Sequence, residues 1–153
     1  MYLTLMRHGI AETHAESDSE RPLTSQGALQ VRMIARGLAT GGWRPGAILC
    51  SPLRRSRETA VLFEEVFPGT DLITLEEVLE ADRALLPLLE RLDLPDPLVV
   101  GHIPGINQLA ADLMNSPVAP PFAPATVACF KLSTVGARLL YLLPPQLGAR
   151  LMA

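Results

Sequence analysis

The chain has only two cysteines in 153 residues. Cys50 and Cys129 form no C-x-x-C pair, so the sequence suggests neither a disulfide nor a thiolate zinc site. Excess charge of one sign is also missing. Thirteen Lys and Arg stand against sixteen Asp and Glu, a formal net charge of −3, which gives no electrostatic reason to expect nucleic-acid binding. No apolar stretch reaches the roughly 18–20 residues that span a bilayer. The run 84–89 is broken by Pro87, and the run 139–143 stops at Pro144-Pro145. The N-terminus lacks a basic region followed by a signal-type apolar segment. These absences lead to the expectation of a soluble, cytoplasmic protein with no membrane contact.

What is present is enough apolar residue for one substantial core. Hydrophobic residues make up 48% of the chain and charged residues 19%, and 153 residues suit one domain over 1–153. Strand and helix patterns alternate. Apolar runs at 2–6, 47–50 and 98–101 read as buried strands, with a shorter one at 71–75. Residues 10–22 read as a polar loop. Thr24 or Ser25 caps a helix to about Ala39, stopped by Gly41-Gly42. Ser51 reads as the cap of a second helix, with Pro52 at its first position, running to about Val66. Residues 82–92 and 105–114 have helical patterns, the first with Pro87 either early in it or kinking it. A proline-rich loop at 117–124 precedes two strands, 127–132 and 138–143, with hairpin spacing. The pattern predicts an α/β sandwich around a mostly parallel sheet.

Each of three buried strands ends in a polar, reactive segment. These are Arg7-His8-Gly9, Ser51-Pro52-Leu53-Arg54-Arg55 and Gly101-His102. If the strands are parallel neighbours, all three segments meet at one edge of the sheet, the usual place for a site in open α/β folds. An imidazole there can act as nucleophile or base. A guanidinium beside it can hold an anion through its planar fork, and a glycine lets the backbone turn tightly. That set suits attack on a phosphoryl group; taken alone, it also suits a strand-ending turn with a hydrogen-bonded histidine.

Helix periodicity separates the arginines of the second segment. At about 100° per residue, Arg55, Thr59, Leu62 and Val66 fall on one core-facing stripe. Arg54 and Arg57 fall beside Glu58, Glu64 and Glu65, where solvated ion pairs explain them. A cation on the buried stripe needs an anion. At a helix N-terminus that anion is either a phosphate or a carboxylate in a structural salt bridge. His102 gains meaning only from its place beside the other two segments. His14, in the polar loop, reads as a surface histidine. Neither His8 nor His102 lies in an H-x-x-x-H or H-E-x-x-H pattern, and neighbouring arginines disfavour a cation, so no metal is expected.

These residues resemble the histidine phosphatase superfamily, also called phosphoglycerate-mutase-like. Its Arg-His-Gly hallmark is matched by Arg7-His8-Gly9. Its Leu-Thr-x-x-Gly pattern is matched by Leu23-Thr24-Ser25-Gln26-Gly27. Its Ser-x-x-x-Arg-x-x-x-Thr-Ala pattern is matched by Ser51, Arg55 and Thr59-Ala60, and its second histidine by His102. Within the family, the length, the segment Ser17-Asp18-Ser19-Glu20-Arg21-Pro22-Leu23-Thr24 and His102-Ile103-Pro104 resemble the SixA type, small bacterial phosphohistidine phosphatases.

The resemblance implies a three-layer sandwich with a mixed, mainly parallel six-stranded sheet flanked by helices. It implies His8 as nucleophile, forming a phosphohistidine intermediate that water hydrolyses. Arg7, Arg55 and His102 would hold the phosphoryl oxygens. Arg21 could reach the same oxygens from its loop, or simply pack there. No cofactor is implied. Many family members use a mid-chain glutamate as general acid; Glu76, Glu77 and Glu80 lie in that region, Glu77 nearest by position, but none sits in a motif. A missing acid suits a phosphoramidate better than a sugar phosphate, because a protonated imidazole leaves readily. Little spare length for a lid implies a shallow site, open to a phosphohistidine-bearing protein such as a phosphotransfer domain. The other readings are a small-molecule phosphomonoesterase of the same superfamily and a non-catalytic phosphate-binding module.

Overall fold

Apolar runs too short to cover themselves pair side by side. In the computed structural model, which describes residues 1–151, β1 (Tyr2–Arg7), β4 (Pro97–Gly101) and β2 (Ala47–Cys50) are adjacent parallel strands. Arg7 lies opposite Gly101 and Cys50 opposite Val100, so the three chain segments leave the sheet at one edge. β3 (Asp71–Thr74) extends the parallel set beyond β2. On the other side β5 (Val127–Ser133) runs antiparallel to β1, and β6 (Gly136–Leu143) antiparallel to β5. The order β3-β2-β4-β1-β5-β6 gives the mixed, mainly parallel six-stranded sheet that the resemblance implies.

Successive side chains of a strand point to opposite faces, and here both faces are covered. Met6, Ile48, Cys50, Leu98 and Val100 pack on one side with Val31, Ile34 and Leu38 of α1 (Ser25–Thr40) and Leu62 and Phe63 of α2 (Arg54–Val66). Leu3, Leu5, Leu49 and Val99 pack on the other with α3 (Leu85–Leu92) and α4 (Gly105–Leu113). The result is the three-layer α/β/α sandwich. Burial on both faces explains why the parallel strands read as unbroken apolar runs. Among the described residues no helix is long and apolar enough to cross a membrane.

Three differences from the sequence reading go beyond a shift of a residue or two at a strand end. Thr24 caps α1 as expected, its hydroxyl accepting from the Gly27 N–H at 2.9 Å. Ser51, by contrast, does not cap α2. The helix starts at Arg54 after an extended Leu53, while the Ser51 hydroxyl meets the His102 ring and accepts from the Leu53 N–H at 3.4 Å. The segment expected to be helical from 82 begins at Leu85. Residue Asp82 first makes a turn, its Oδ1 accepting from the Ala84 N–H at 2.7 Å. Pro87 is the third residue of α3, in the first turn, where its missing N–H costs nothing. Finally, the sequence reading places no element after the run that stops at Pro144-Pro145, and a helix follows it. Pro145 opens α5 (Pro145–Leu151), a use of proline at a first helical position. Gly148 lets that helix sit on α1, since a Cβ there would meet the Ile34 Cα at 2.9 Å.

Candidate active site

His8 follows the last residue of β1 and is tied down by its main chain. Its N–H donates to the Gly101 carbonyl at 3.1 Å and its carbonyl accepts from the Ala125 N–H at 3.2 Å. His102 follows β4. The two rings meet with centroids 5.1 Å apart, tilted 50°. Each residue is 8% exposed, so the pair is reachable from solvent yet largely dry. The His8 Nδ1 lies 2.7 Å from the Gly9 carbonyl oxygen. A carbonyl only accepts, so Nδ1 carries the hydrogen and the lone pair of the neutral ring is on Nε2.

Electrostatics keep that ring neutral. Burial drives the His8 pKa down to about 3, opposed by the bond to Gly9 and reinforced by the charges of His102, Arg55 and Arg7. His102 falls to about 4, mainly through burial and then Arg55, with Asp18 acting in the opposite sense. An NMR titration of the His8 and His102 rings is therefore expected to show no inflection between pH 5 and 8; a midpoint near the ordinary 6.5 would contradict this account. The sign for stability follows. As the pH falls below 6.5, the unfolded chain protonates both rings while the folded chain refuses the protons until about 4 and about 3. Stability contributed by these rings is thus complete above 6.5 and lost as the pH falls through that window.

Two cations stand beside the histidines. Arg7, the last residue of β1, donates from Nη1 to the Phe122 carbonyl at 2.8 Å, while its Nε is buried without a partner among the described residues. Arg55 is on the buried stripe read from helix periodicity: it is 8% exposed, and Thr59 and Leu62 are buried below it. Arg54 and Arg57 are exposed, Arg54 pairing with Glu58 at 2.7 Å. The anion opposite Arg55 is a carboxylate, the structural alternative raised by the sequence. Asp18, on a short 3₁₀ turn (Asp18–Glu20), accepts from Nη1 through its main-chain oxygen at 2.8 Å and from Nη2 through Oδ2 at 3.2 Å. The Asp18 side chain is 66% exposed, so the pair is open to solvent, and Arg55 still acts on both histidine rings.

The structure thus brings His8, His102, Arg7 and Arg55 within electrostatic reach of one another. Arg21 joins them only indirectly. Its Nε donates to the Glu12 carbonyl at 2.6 Å and its Nη1 to Asp18 Oδ1 at 2.9 Å, so Asp18 stands between it and Arg55. Glu77 is exposed on the 3₁₀ turn Glu76–Val78, and no glutamate contributes to the shifts of either histidine. His14 is exposed in its loop. A cavity of about 580 Å³ lies between the start of α1 and α2, but it is lined by residues such as Leu23, Arg54 and Val61 and by none of the four site residues.

Three supporting residues escaped the sequence reading as functional parts. The Thr59 hydroxyl accepts from the Gly9 N–H at 3.0 Å and donates to the Arg55 carbonyl at 2.7 Å, joining the turn after β1 to the helix that carries Arg55. The Ser56 hydroxyl donates to the Val100 carbonyl at 2.7 Å and accepts from the Ser51 N–H at 3.1 Å. The third is Ser51 itself, through His102. The spacing of Ser51, Arg55 and Thr59 at intervals of four was the available signal. Thr59→Val keeps the shape and orphans the buried Gly9 N–H. It is expected to lower unfolding free energy by about 1–3 kcal/mol in urea denaturation; a cost below about 0.5 kcal/mol would mean that the amide finds another partner.

The model of the histidine phosphatase superfamily (branch 1) matches residues 3–86. The chain belongs to the histidine phosphatase superfamily. Phosphohistidine phosphatase SixA of Escherichia coli (strain K12) is 31% identical over 145 residues, covering 89% of this chain and 88% of that protein. A SixA homolog of Haemophilus influenzae is 31% identical over 145 residues, covering 84% and 86%. Among solved structures, the protein histidine phosphatase SixA complexed with tungstate superposes with a TM-score of 0.86 at 26% identity, covering 95% of this chain and 98% of that one. A putative phosphohistidine phosphatase SixA from Agrobacterium tumefaciens gives a TM-score of 0.83 at 25% identity, covering 94% and 97%. In this histidine phosphatase the family's Leu-Thr-x-x-Gly pattern has a steric reason. A Cβ on Gly27 would stand 2.2 Å from the Ile10 carbonyl oxygen, so glycine lets α1 press against the chain leaving the Arg7-His8-Gly9 turn.

Proposed function

We propose that this chain hydrolyses phosphohistidine on a protein through a covalent intermediate on His8. The observation that carries the reading is the His8 ring: neutral, with Nδ1–H held by the Gly9 carbonyl and the lone pair left on Nε2 beside two guanidinium groups and a second histidine. Nε2 attacks phosphorus, the bond from phosphorus to the substrate nitrogen breaks, and its electron pair returns to the departing imidazole. Water then attacks the phosphoenzyme, releasing phosphate and restoring neutral His8. Arg7 and Arg55 offset the charge spread over the phosphoryl oxygens. When the Ser51 hydroxyl donates to His102 Nε2, the His102 proton sits on Nδ1, a buried atom without a partner among the described residues and suited to a phosphoryl oxygen.

The choice of phosphohistidine rests on leaving-group chemistry. An alkoxide needs a strong acid beside it, and the ring bonds of the two histidines go to the Gly9 carbonyl and the Ser51 hydroxyl, with no glutamate among them. The names of the relatives and the tungstate, a tetrahedral oxyanion, bound to a solved neighbour support the same reading. A phosphotransfer domain as partner and a cytoplasmic signalling role belong to this proposal.

The test incubates wild-type protein with a phosphohistidine-bearing phosphotransfer domain and with an aryl phosphate, using His8→Ala as the blank. Phosphate release from the phosphoprotein by wild type alone is the expected result. Release from the aryl phosphate alone would replace the reading with a small-molecule phosphomonoesterase, and release from neither would leave a phosphate-binding module.

A further inference from the structure

A carboxylate that clasps a phosphate-binding arginine looks out of place. Asp18 puts a negative charge where an anionic substrate must arrive. The Arg55 side chain is 10% exposed and calls for an anion, but the Asp18 side chain is 66% exposed, so the carboxylate itself faces solvent. It is nevertheless held hard. Asp18 Oδ1 takes Arg21 Nη1 at 2.9 Å, Oδ2 takes Arg55 Nη2 at 3.2 Å, and its main-chain oxygen takes Arg55 Nη1 at 2.8 Å. Arg21 is in turn anchored to the Glu12 carbonyl. Two guanidinium groups thus fix one exposed carboxylate at the mouth of the site.

We infer that Asp18 is a specificity residue that receives the cationic ring of the substrate and turns away substrates whose leaving group carries negative charge. The inference rests on the phosphohistidine reading and gives the same site its leaving-group selector. A phosphoimidazole transfers its phosphoryl group readily when its second ring nitrogen is protonated. The ring is then a cation, and the electron pair of the breaking phosphorus–nitrogen bond neutralises it. The proton stays on the second nitrogen throughout, so no general acid is required. A fixed carboxylate accepting a hydrogen bond from that N–H favours the protonated, reactive form of the substrate. Its two arginines keep the Asp18 carboxyl below its usual range, and therefore ionised, and among the described carboxylates it alone acts on His102. A phenoxide or alkoxide leaving group gains nothing from Asp18 and is repelled by it.

Asp18→Asn removes the charge, keeps the main-chain bond to Arg55 and leaves one amide oxygen for Nη2; its NH2 group then faces Arg21 Nη1, so the Arg21 bond is given up. Compare kcat/KM for wild type, D18N and D18E on a phosphohistidine-bearing domain and on an aryl phosphate, with far-UV circular dichroism confirming the fold. The expected result is a split. D18N loses about ten- to a hundredfold on phosphohistidine, the scale of one charge-assisted hydrogen bond, and gains about two- to threefold on the aryl phosphate; D18E, which keeps the charge, recovers part of the phosphohistidine rate. Parallel loss on both substrates would make Asp18 only a support for Arg55 and overturn the inference. Parallel gain would make it a mere competitor for Arg55 and overturn the inference equally, as would no change or a D18E protein indistinguishable from D18N. If wild type itself leaves the phosphohistidine domain untouched, the functional reading fails and the inference with it.

Discussion

His8→Ala is expected to reduce phosphate release by about 10⁴-fold or more while leaving the fold in place. Nothing else near Arg7 and Arg55 offers an unprotonated nitrogen with its lone pair already aimed by a hydrogen bond. His102 is neutral too, yet its Nε2 is occupied by Ser51 and its Nδ1 then carries the proton, which leaves no free lone pair. The main-chain bonds of residue 8 to Gly101 and Ala125 do not depend on the side chain, so the turn survives the substitution. The decisive measurement is retention of radiolabelled phosphate on the protein after an alkaline quench, where phosphohistidine is stable. Wild type should carry label during turnover and His8→Ala none. Equal labelling would move the nucleophile elsewhere.

Arg55→Ala is expected to cost about 10²–10³ in kcat/KM on any phosphoryl substrate, with most of the loss in kcat. Arg55 is the one guanidinium that reaches the histidines from a helix N-terminal turn, and its charge acts on both rings. Removing it also frees Asp18 from one of its two cations, leaving an exposed carboxylate at the site with only Arg21 to hold it. Arg55→Lys should restore little. A lysine carries the charge on one nitrogen and cannot engage the oxygen and the carboxylate of Asp18 together while also meeting a phosphoryl oxygen. Steady-state kinetics with the phosphohistidine domain and an aryl phosphate check both variants. A loss confined to KM would show that Arg55 binds substrate and transition state alike.

The sheet was legible because burial on both faces leaves so few choices of residue. The runs ending at Cys50 and Gly101 could be read as buried strands without any knowledge of their partners. The three reactive segments could then be placed together, since strands of this kind deliver their ends to one edge. Arg55 was separable from Arg54 and Arg57 by the angle per residue of a helix, a property of the chain itself. What could not be read were pairings between distant residues. Asp18 and Arg55 are 37 positions apart, and nothing local marks the first as the partner of the second. The same holds for Ser51, whose hydroxyl has a local use as a helix cap and a distant one on His102. The hydroxyl meets His102 and also accepts from the Leu53 N–H, and α2 starts only at Arg54. Arg21 could be placed near the site by sequence, but only the fold shows that it grips Asp18.

Thr59 makes α2 a ruler. Its hydroxyl holds the Gly9 amide one helical turn beyond Arg55, so the span from the His8 turn to that guanidinium is set by the roughly 5.4 Å pitch of an α-helix. Between the two marks Arg57 is exposed and free to change, while Ser56 holds the Val100 carbonyl and Glu58 accepts from the Leu23 N–H at 2.7 Å. The number of residues there is fixed. Adding or removing one residue there would swing Arg55 by about 100° about the helix axis, carrying it off the buried stripe while Thr59 kept its grip on Gly9.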